Sequence, residues 1–119
     1  MSIEDRVKSR GALACNCTAM VLAAGYGTRL QPMTSTLAKA VVPFLNRPLL
    51  DYTLDWLSRS GFTKAIVNLH HRPESVRACY REKQFGVDVH FSHEESILGT
   101  AGGPRKVLER LGPRVLIVN

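Results

Sequence analysis

Cysteine is scarce, and the three that occur are badly spaced for chemistry. Cys15 and Cys17 form C-x-C and Cys79 stands alone, which excludes a zinc ribbon and a C-x-x-C redox pair. Reduced thiols in a cytoplasmic protein fit this pattern. Long apolar runs are missing too. None approaches a membrane span, and the charged residues Glu4, Asp5, Arg6, Lys8 and Arg10 leave no apolar signal core. Residues 11–15, Gly-Ala-Leu-Ala-Cys, resemble a lipoprotein cleavage site but lack that core. Nor is there a run of five like charges. Lys and Arg number 16 against 10 Asp and Glu, and the net +6 divides evenly between the two halves. A nucleic-acid arm is therefore not indicated, whereas an anionic small substrate or simple solubility accounts for the charge.

What remains is ordinary globular material: 119 residues, 45% hydrophobic and 22% charged, the size of one domain. Residues 1–17 read as a leader outside the regular fold. The run Ala19-Met20-Val21-Leu22 is a strand buried on both faces, ending at Gly25. A polar stretch without helical period follows to Lys39. After Pro48, the residues Leu50, Leu54 and Leu57 keep helical spacing, and Gly61 suits the helix end. Residues 65–69 form a β-branched strand, 73–84 a second helix and 87–91 an alternating strand. Residues 92–103 read as a glycine-bearing loop, Pro104 as the start of a third helix, and 115–118 as a last buried strand. This order predicts an α/β fold, a Rossmann-like three-layer α/β/α domain with a mostly parallel sheet.

Ligands of such sheets bind beyond the carboxyl ends of the strands. The segment there reads Leu22-Ala23-Ala24-Gly25-Tyr26-Gly27-Thr28-Arg29-Leu30. Gly25 and Gly27 let the backbone turn tightly and aim several N–H groups at one anion. Arg29 adds a fork matched to phosphate oxygens, and Lys39 a compact second cation. The dinucleotide fingerprint fails at Leu30, where it needs glycine, and no Gly-Lys-Ser/Thr makes a P-loop. A plain glycine-rich turn with solvated cations is the alternative. Trp56 reads as core, His70, His71 and His93 as surface histidines without a third metal ligand, and Asn68 as a strand cap at the site's edge.

Residues 22–30, with Pro32, Thr34, Lys39 and Pro43, resemble the signature of sugar-1-phosphate nucleotidyltransferases. A second block, Leu98-Gly99-Thr100-Ala101-Gly102-Gly103, resembles that family's base- and ribose-contacting loop, and is closest in look to the mannose-1-phosphate guanylyltransferase branch. One departure stands out: the family usually has proline before its active-site lysine, and here Ala38 precedes Lys39. The resemblance implies transfer of a nucleoside monophosphate from an NTP to a sugar 1-phosphate. It assigns catalytic roles to Arg29 and Lys39. Nucleotide binding falls to Leu22, Ala23, Ala24, Gly25, Gly27, Thr28, Arg29, Glu94, Gly99, Thr100 and Gly102. Mg²⁺ is implied as cofactor, its aspartate expected just beyond Asn119, with no metal ligand in residues 1–119. Residues 18–119 are then the nucleotide-binding portion of the domain, cut off before its acceptor-binding half and inactive alone. Phospho-alcohol cytidylyl transfer, or a non-catalytic relative that binds nucleotide or a partner, are the alternatives. Neither nucleic acid nor membrane is an expected partner, and the apolar last strand favours self-association into a homo-oligomer.

Overall fold

The computed structural model describes Ser2 and residues 16–119. Most of the expected leader, with Cys15, lies outside the described residues. Four parallel strands form the central sheet: β1 (Thr18–Leu22), β4 (Lys64–Leu69), β5 (Asp88–His93) and β6 (Val115–Val118), in the order β5-β4-β1-β6. A small antiparallel hairpin, β2 (Pro43–Phe44) with β3 (Arg47–Pro48), precedes helix α1 (Leu49–Arg59). Helices α2 (Pro73–Tyr80), α3 (Gly99–Lys106) and α4 (Leu108–Leu111), with three 3₁₀ turns at Thr28–Leu30, Met33–Ser35 and Lys39–Val41, complete the described elements.

Burial explains why these segments become these elements. Ala19 and Val21 of β1 and Ala65, Val67 and Leu69 of β4 face one core, with Leu50, Leu54 and Leu57 of α1 and Val76 of α2. Met20 and Ile66 point to the opposite face, where Val107 and Leu111 cover them. Helices on both faces of a parallel sheet make the expected three layers. Helix α1 ends in a double hydrogen bond, Phe62 N–H to Leu57 C=O at 3.0 Å and Gly61 N–H to Ser58 C=O at 3.1 Å. Gly61 has φ 87°, the left-handed turn that this closure requires.

Several boundaries and one core assignment differ from expectation. Helix α2 stops at Tyr80 rather than near Gln84, because residues 81–84 are all exposed and further turns would bury nothing. Strand β5 runs to His93, two residues beyond expectation, because its six residues pair one for one with the six of β4. The stretch from Gly99 is helix, not loop, and Pro104 lies inside it rather than at its start. Three glycines masked a helix in which Gly102 and Gly103 are demanded by close packing and Gly99 by its φ of 74°. Trp56 is not core: it stands on the outer face of α1, 52% exposed, with its ring tilted over Phe62.

Strand β6 is the thinnest part of the sheet. It pairs with β1 alone, and Val115 and Ile117 are 37% and 51% exposed. An apolar edge strand is a template for pairing with another chain. Concentration-dependent self-association is expected in sedimentation velocity, and Ile117→Lys should reduce it. Identical sedimentation of the two proteins would locate the contact elsewhere. Among the described residues no helix is long and apolar enough to cross a membrane.

Candidate functional site

From β1 the chain steps through β4 to β5 on one side, then returns to place β6 on the other side of β1. Crossovers diverge at that point, which leaves a crevice at the carboxyl ends of β1 and β6. A cleft of about 430 Å³ lies there. Its walls include Leu22, Ala23, Ala24 and Gly25 after β1, Lys39, Asn68 and Glu94, and Gly99 and Thr100 at the start of α3. The two blocks picked out in the sequence, 76 residues apart at their first members Leu22 and Leu98, thus meet across one cleft. Gly27, Thr28, Arg29 and Gly102 are not among its walls. Thr28 and Arg29 lie on a short 3₁₀ turn, Thr28–Leu30, that leads away from Gly25, and both are exposed.

The loop after β1 carries a run of free donors. The amides of Gly25, Tyr26, Gly27, Thr28 and Arg29 make no hydrogen bond within the described residues, nor do the Arg29 and Lys39 side chains. Successive unpaired N–H groups beside two cations are the chemistry of an anion cradle. Gly27 is the turn's pivot at φ 63°, and a Cβ there would lie 2.8 Å from Thr34 Cγ2 and 3.1 Å from Lys39 Cβ. The Thr34 hydroxyl donates to Gly27 C=O at 2.7 Å, tying the two halves of the loop together.

What holds this loop is the end of β4 and the turn into α2. Ala23 N–H donates to Asn68 Oδ1 at 2.6 Å. His71 Nε2–H donates to Thr34 C=O at 2.6 Å. His70 gives its Nδ1–H to Glu94 C=O at 2.8 Å, which leaves Nε2 of the neutral ring as acceptor for the Tyr26 hydroxyl at 3.3 Å. Tyr26 also packs edge-on against both imidazoles. Ser75 Oγ accepts from Ala38 N–H at 2.9 Å. His70 and His71 are therefore half-buried struts rather than free surface groups, whereas His93 is exposed as expected, and Asn68 is more than a strand cap. Asn68, His70, His71 and Ser75 are the functional residues that sequence reasoning passed over or undervalued. A polar residue set between Val67 and Leu69, inside the apolar run of β4, was the one available signal.

Glu94 is the other buried polar group, 1% exposed although the cleft reaches it. Its Oε1 accepts from Asn68 Nδ2 at 2.9 Å and its Oε2 from Leu98 N–H at 3.2 Å. Its neighbour Glu95, by contrast, is exposed. A continuous chain of bonds runs from Ala23 through Asn68 and Glu94 to Leu98, joining the two cleft walls. Gly103 completes it: a Cβ there would lie 2.7 Å from Asn68 Nδ2 and 2.8 Å from Glu94 Oε1. As placed, Glu94 braces the cleft. The described residues do not fit Mg²⁺. No three His, Cys, Asp or Glu side chains cluster among them, and the cleft's carboxyl already serves two donors. Asp51 is occupied elsewhere, accepting from the Tyr80 hydroxyl and pairing with Lys83 at 3.2 Å. Burial first, and then the hydrogen bond to Asp51, raise the Tyr80 phenol well above its usual range.

A parallel sheet with helices on both faces and a cleft at its switch point defines the Rossmann-like α/β class of protein. Residues 18–117 match the family model for nucleotidyl transferase, and the chain belongs to that family. It is 39% identical over 101 residues to the UTP–glucose-1-phosphate uridylyltransferase of Synechocystis, an alignment covering 76% of this chain and 26% of that protein. It is 40% identical over 92 residues to the mannose-1-phosphate guanyltransferase of Saccharomyces cerevisiae, covering 76% and 25%. The chain thus spans about a quarter of the length of these relatives. In fold it is similar to HddC from Yersinia pseudotuberculosis, with a TM-score of 0.73 at 22% identity over 85% of this chain and 47% of that one. The CTP:phosphocholine cytidylyltransferase of Streptococcus pneumoniae gives 0.69 at 26% identity, over 87% and 44%.

Proposed function

We propose that this chain is the nucleotide-binding part of an enzyme that transfers a nucleoside monophosphate from an NTP to a sugar 1-phosphate. One observation carries the reading: the run of unpaired amides at residues 25–29, next to Lys39, at the switch point of the sheet. In this reaction an oxygen of the sugar phosphate attacks the α-phosphorus, and the bond to the pyrophosphate oxygen breaks. The nucleophile is already an oxyanion, so no general base is needed. The barrier lies in bringing two polyanions together and stabilising charge on the transferred phosphoryl.

The amides of residues 25–29 would hold the triphosphate, with Arg29 reaching its outer phosphates from the exposed 3₁₀ turn. Lys39, on the cleft wall, would neutralise charge at the α-phosphate and the incoming acceptor. Mg²⁺ belongs to this proposal as a companion of the triphosphate. A guanine nucleotide is the preferred donor, on the likeness of residues 98–102 to the mannose-1-phosphate branch; uridylyl transfer is the near competitor. The pneumococcal likeness supports cytidylyl transfer to a phospho-alcohol as the second reading. Cytoplasmic location is part of the same proposal.

A thermal-shift panel of the four NTPs tests it, since selective binding raises the melting temperature by mass action. GTP is expected to give the largest rise. A rise with CTP alone would favour the second reading, and no rise with any NTP would overturn both. Arg29→Ala should weaken GTP binding in calorimetry by about 1.5–3 kcal/mol, the scale of a hydrogen bond to a charged group. Unchanged affinity would leave the cradle to the amides and Lys39.

A further inference from the structure

We propose that Ser75 is a positioning residue for Lys39. The inference rests on reading Lys39 as a contact to the nucleotide. The Lys39 side chain has no hydrogen bond or ion pair among the described residues, so its place on the cleft wall depends on the backbone that carries it. That backbone is fixed one residue earlier. Ala38 is 2% exposed and extended at φ −65° and ψ 145°. Its C=O accepts from Val41 N–H at 3.0 Å, closing the 3₁₀ turn Lys39–Val41 that opens with the lysine. Its N–H donates to Ser75 Oγ at 2.9 Å, the bond that joins this turn to helix α2.

The serine is suited to this role because its hydroxyl has no rotational freedom left. The Ser75 O–H donates to Arg72 C=O at 2.7 Å, so a lone pair is held toward Ala38. Arg72 itself stands at φ 50°, and this left-handed residue turns the chain from β4 into α2. Without Ser75, a buried N–H would lack a partner, and the peptide ahead of Lys39 would rotate to find water. Lys39 would then leave the cleft wall.

The backbone angles of Ala38 supply an independent rescue. A φ of −65° is what a proline ring imposes, and proline has no N–H to satisfy. Its ring carbon would occupy the direction in which the N–H now points, so Ser75 must be shortened as well. The double variant Ala38→Pro/Ser75→Ala should therefore hold the lysine by stiffness where the native chain holds it by a hydrogen bond.

GTP affinity measured by calorimetry on this chain tests the proposal, with circular dichroism verifying that each variant is folded. Lys39→Ala is expected to weaken binding, and Ser75→Ala to weaken it roughly three- to tenfold. In a Lys39→Ala background, Ser75→Ala should change nothing further. Ala38→Pro/Ser75→Ala should return to within about twofold of the native affinity. A loss from Ser75→Ala that persists without Lys39, or a double variant as weak as Ser75→Ala, would overturn the inference and leave the reading of Lys39 intact. A Lys39→Ala protein with native affinity would instead remove that reading, and the inference with it.

Discussion

Gly27→Val is expected to lose both nucleotide binding and part of the fold's stability. Valine at φ 63° is strained whatever space surrounds it, at a cost of order 1–3 kcal/mol. Here there is no space. The added Cβ alone would lie 2.8 Å from Thr34 Cγ2 and 3.1 Å from Lys39 Cβ. Thr34 is held by its own hydroxyl on Gly27 C=O at 2.7 Å and by His71 on its C=O at 2.6 Å. Moving it would release both bonds, so the loop opens instead and the amides of residues 25–29 disperse. GTP affinity should fall by more than about tenfold, or 1.4 kcal/mol. Gly25→Ala provides the contrast. A Cβ there meets nothing within 4 Å and its φ is unexceptional, so stability should be kept. Gly25 lines the cleft, however, and the methyl would stand where a phosphate must approach. Thermal melts with calorimetry on both variants decide the matter. Native melting temperature and native affinity in Gly27→Val would show that this turn is not the cradle.

These two glycines illustrate what the sequence made legible. Strand β1 is a continuous apolar run, and its end is marked by Gly25 and Gly27, so both the fold class and the place to look followed from local pattern. The three apolar residues of α1 at helical spacing, and Gly61 after them, were equally local. The supports of the site were not. Ala23 with Asn68, Tyr26 with His70, Thr34 with His71 and Ala38 with Ser75 are separated by 37 to 45 positions. Each is a single polar contact with no period, and it forms only once β1 and β4 lie side by side in register. The start of α3 was misread for a related reason. Its glycines lower helix propensity, which is all that local reasoning sees. The benefit of Gly102 and Gly103 lies in the space they leave for Leu98, Asn68 and Glu94. Trp56 failed differently: large apolar residues are not always inside, and this one rests on Phe62 at the surface.

Asn68→Leu should be the most destabilising conservative change in the cleft. Leucine is close to asparagine in size and would suit the apolar run of β4, so packing alone predicts a small effect. Hydrogen bonding predicts a large one. Asn68 is 3% exposed and satisfies two partners at once, Ala23 N–H and a carboxyl oxygen of Glu94. Both would be left without a partner, the carboxyl fully buried and the Ala23 N–H half-buried, at about 1–3 kcal/mol each. The sum, about 2–6 kcal/mol, exceeds anything the added apolar surface could return. A second variant separates stability from positioning. Asn68→Leu/Glu94→Leu removes the orphaned carboxyl as well, and replacing both members of a buried pair by apolar groups is often nearly neutral. The melting temperature should therefore recover in part. Nucleotide affinity should not recover, because the double variant restores neither the tie to Ala23 nor the tie to Leu98 that holds the opposite wall. Urea denaturation and GTP calorimetry on the three proteins give the two readouts. Native stability in Asn68→Leu would mean that the bond chain across the cleft contributes nothing. Recovered affinity in the double variant would mean that the two walls are held apart by other contacts.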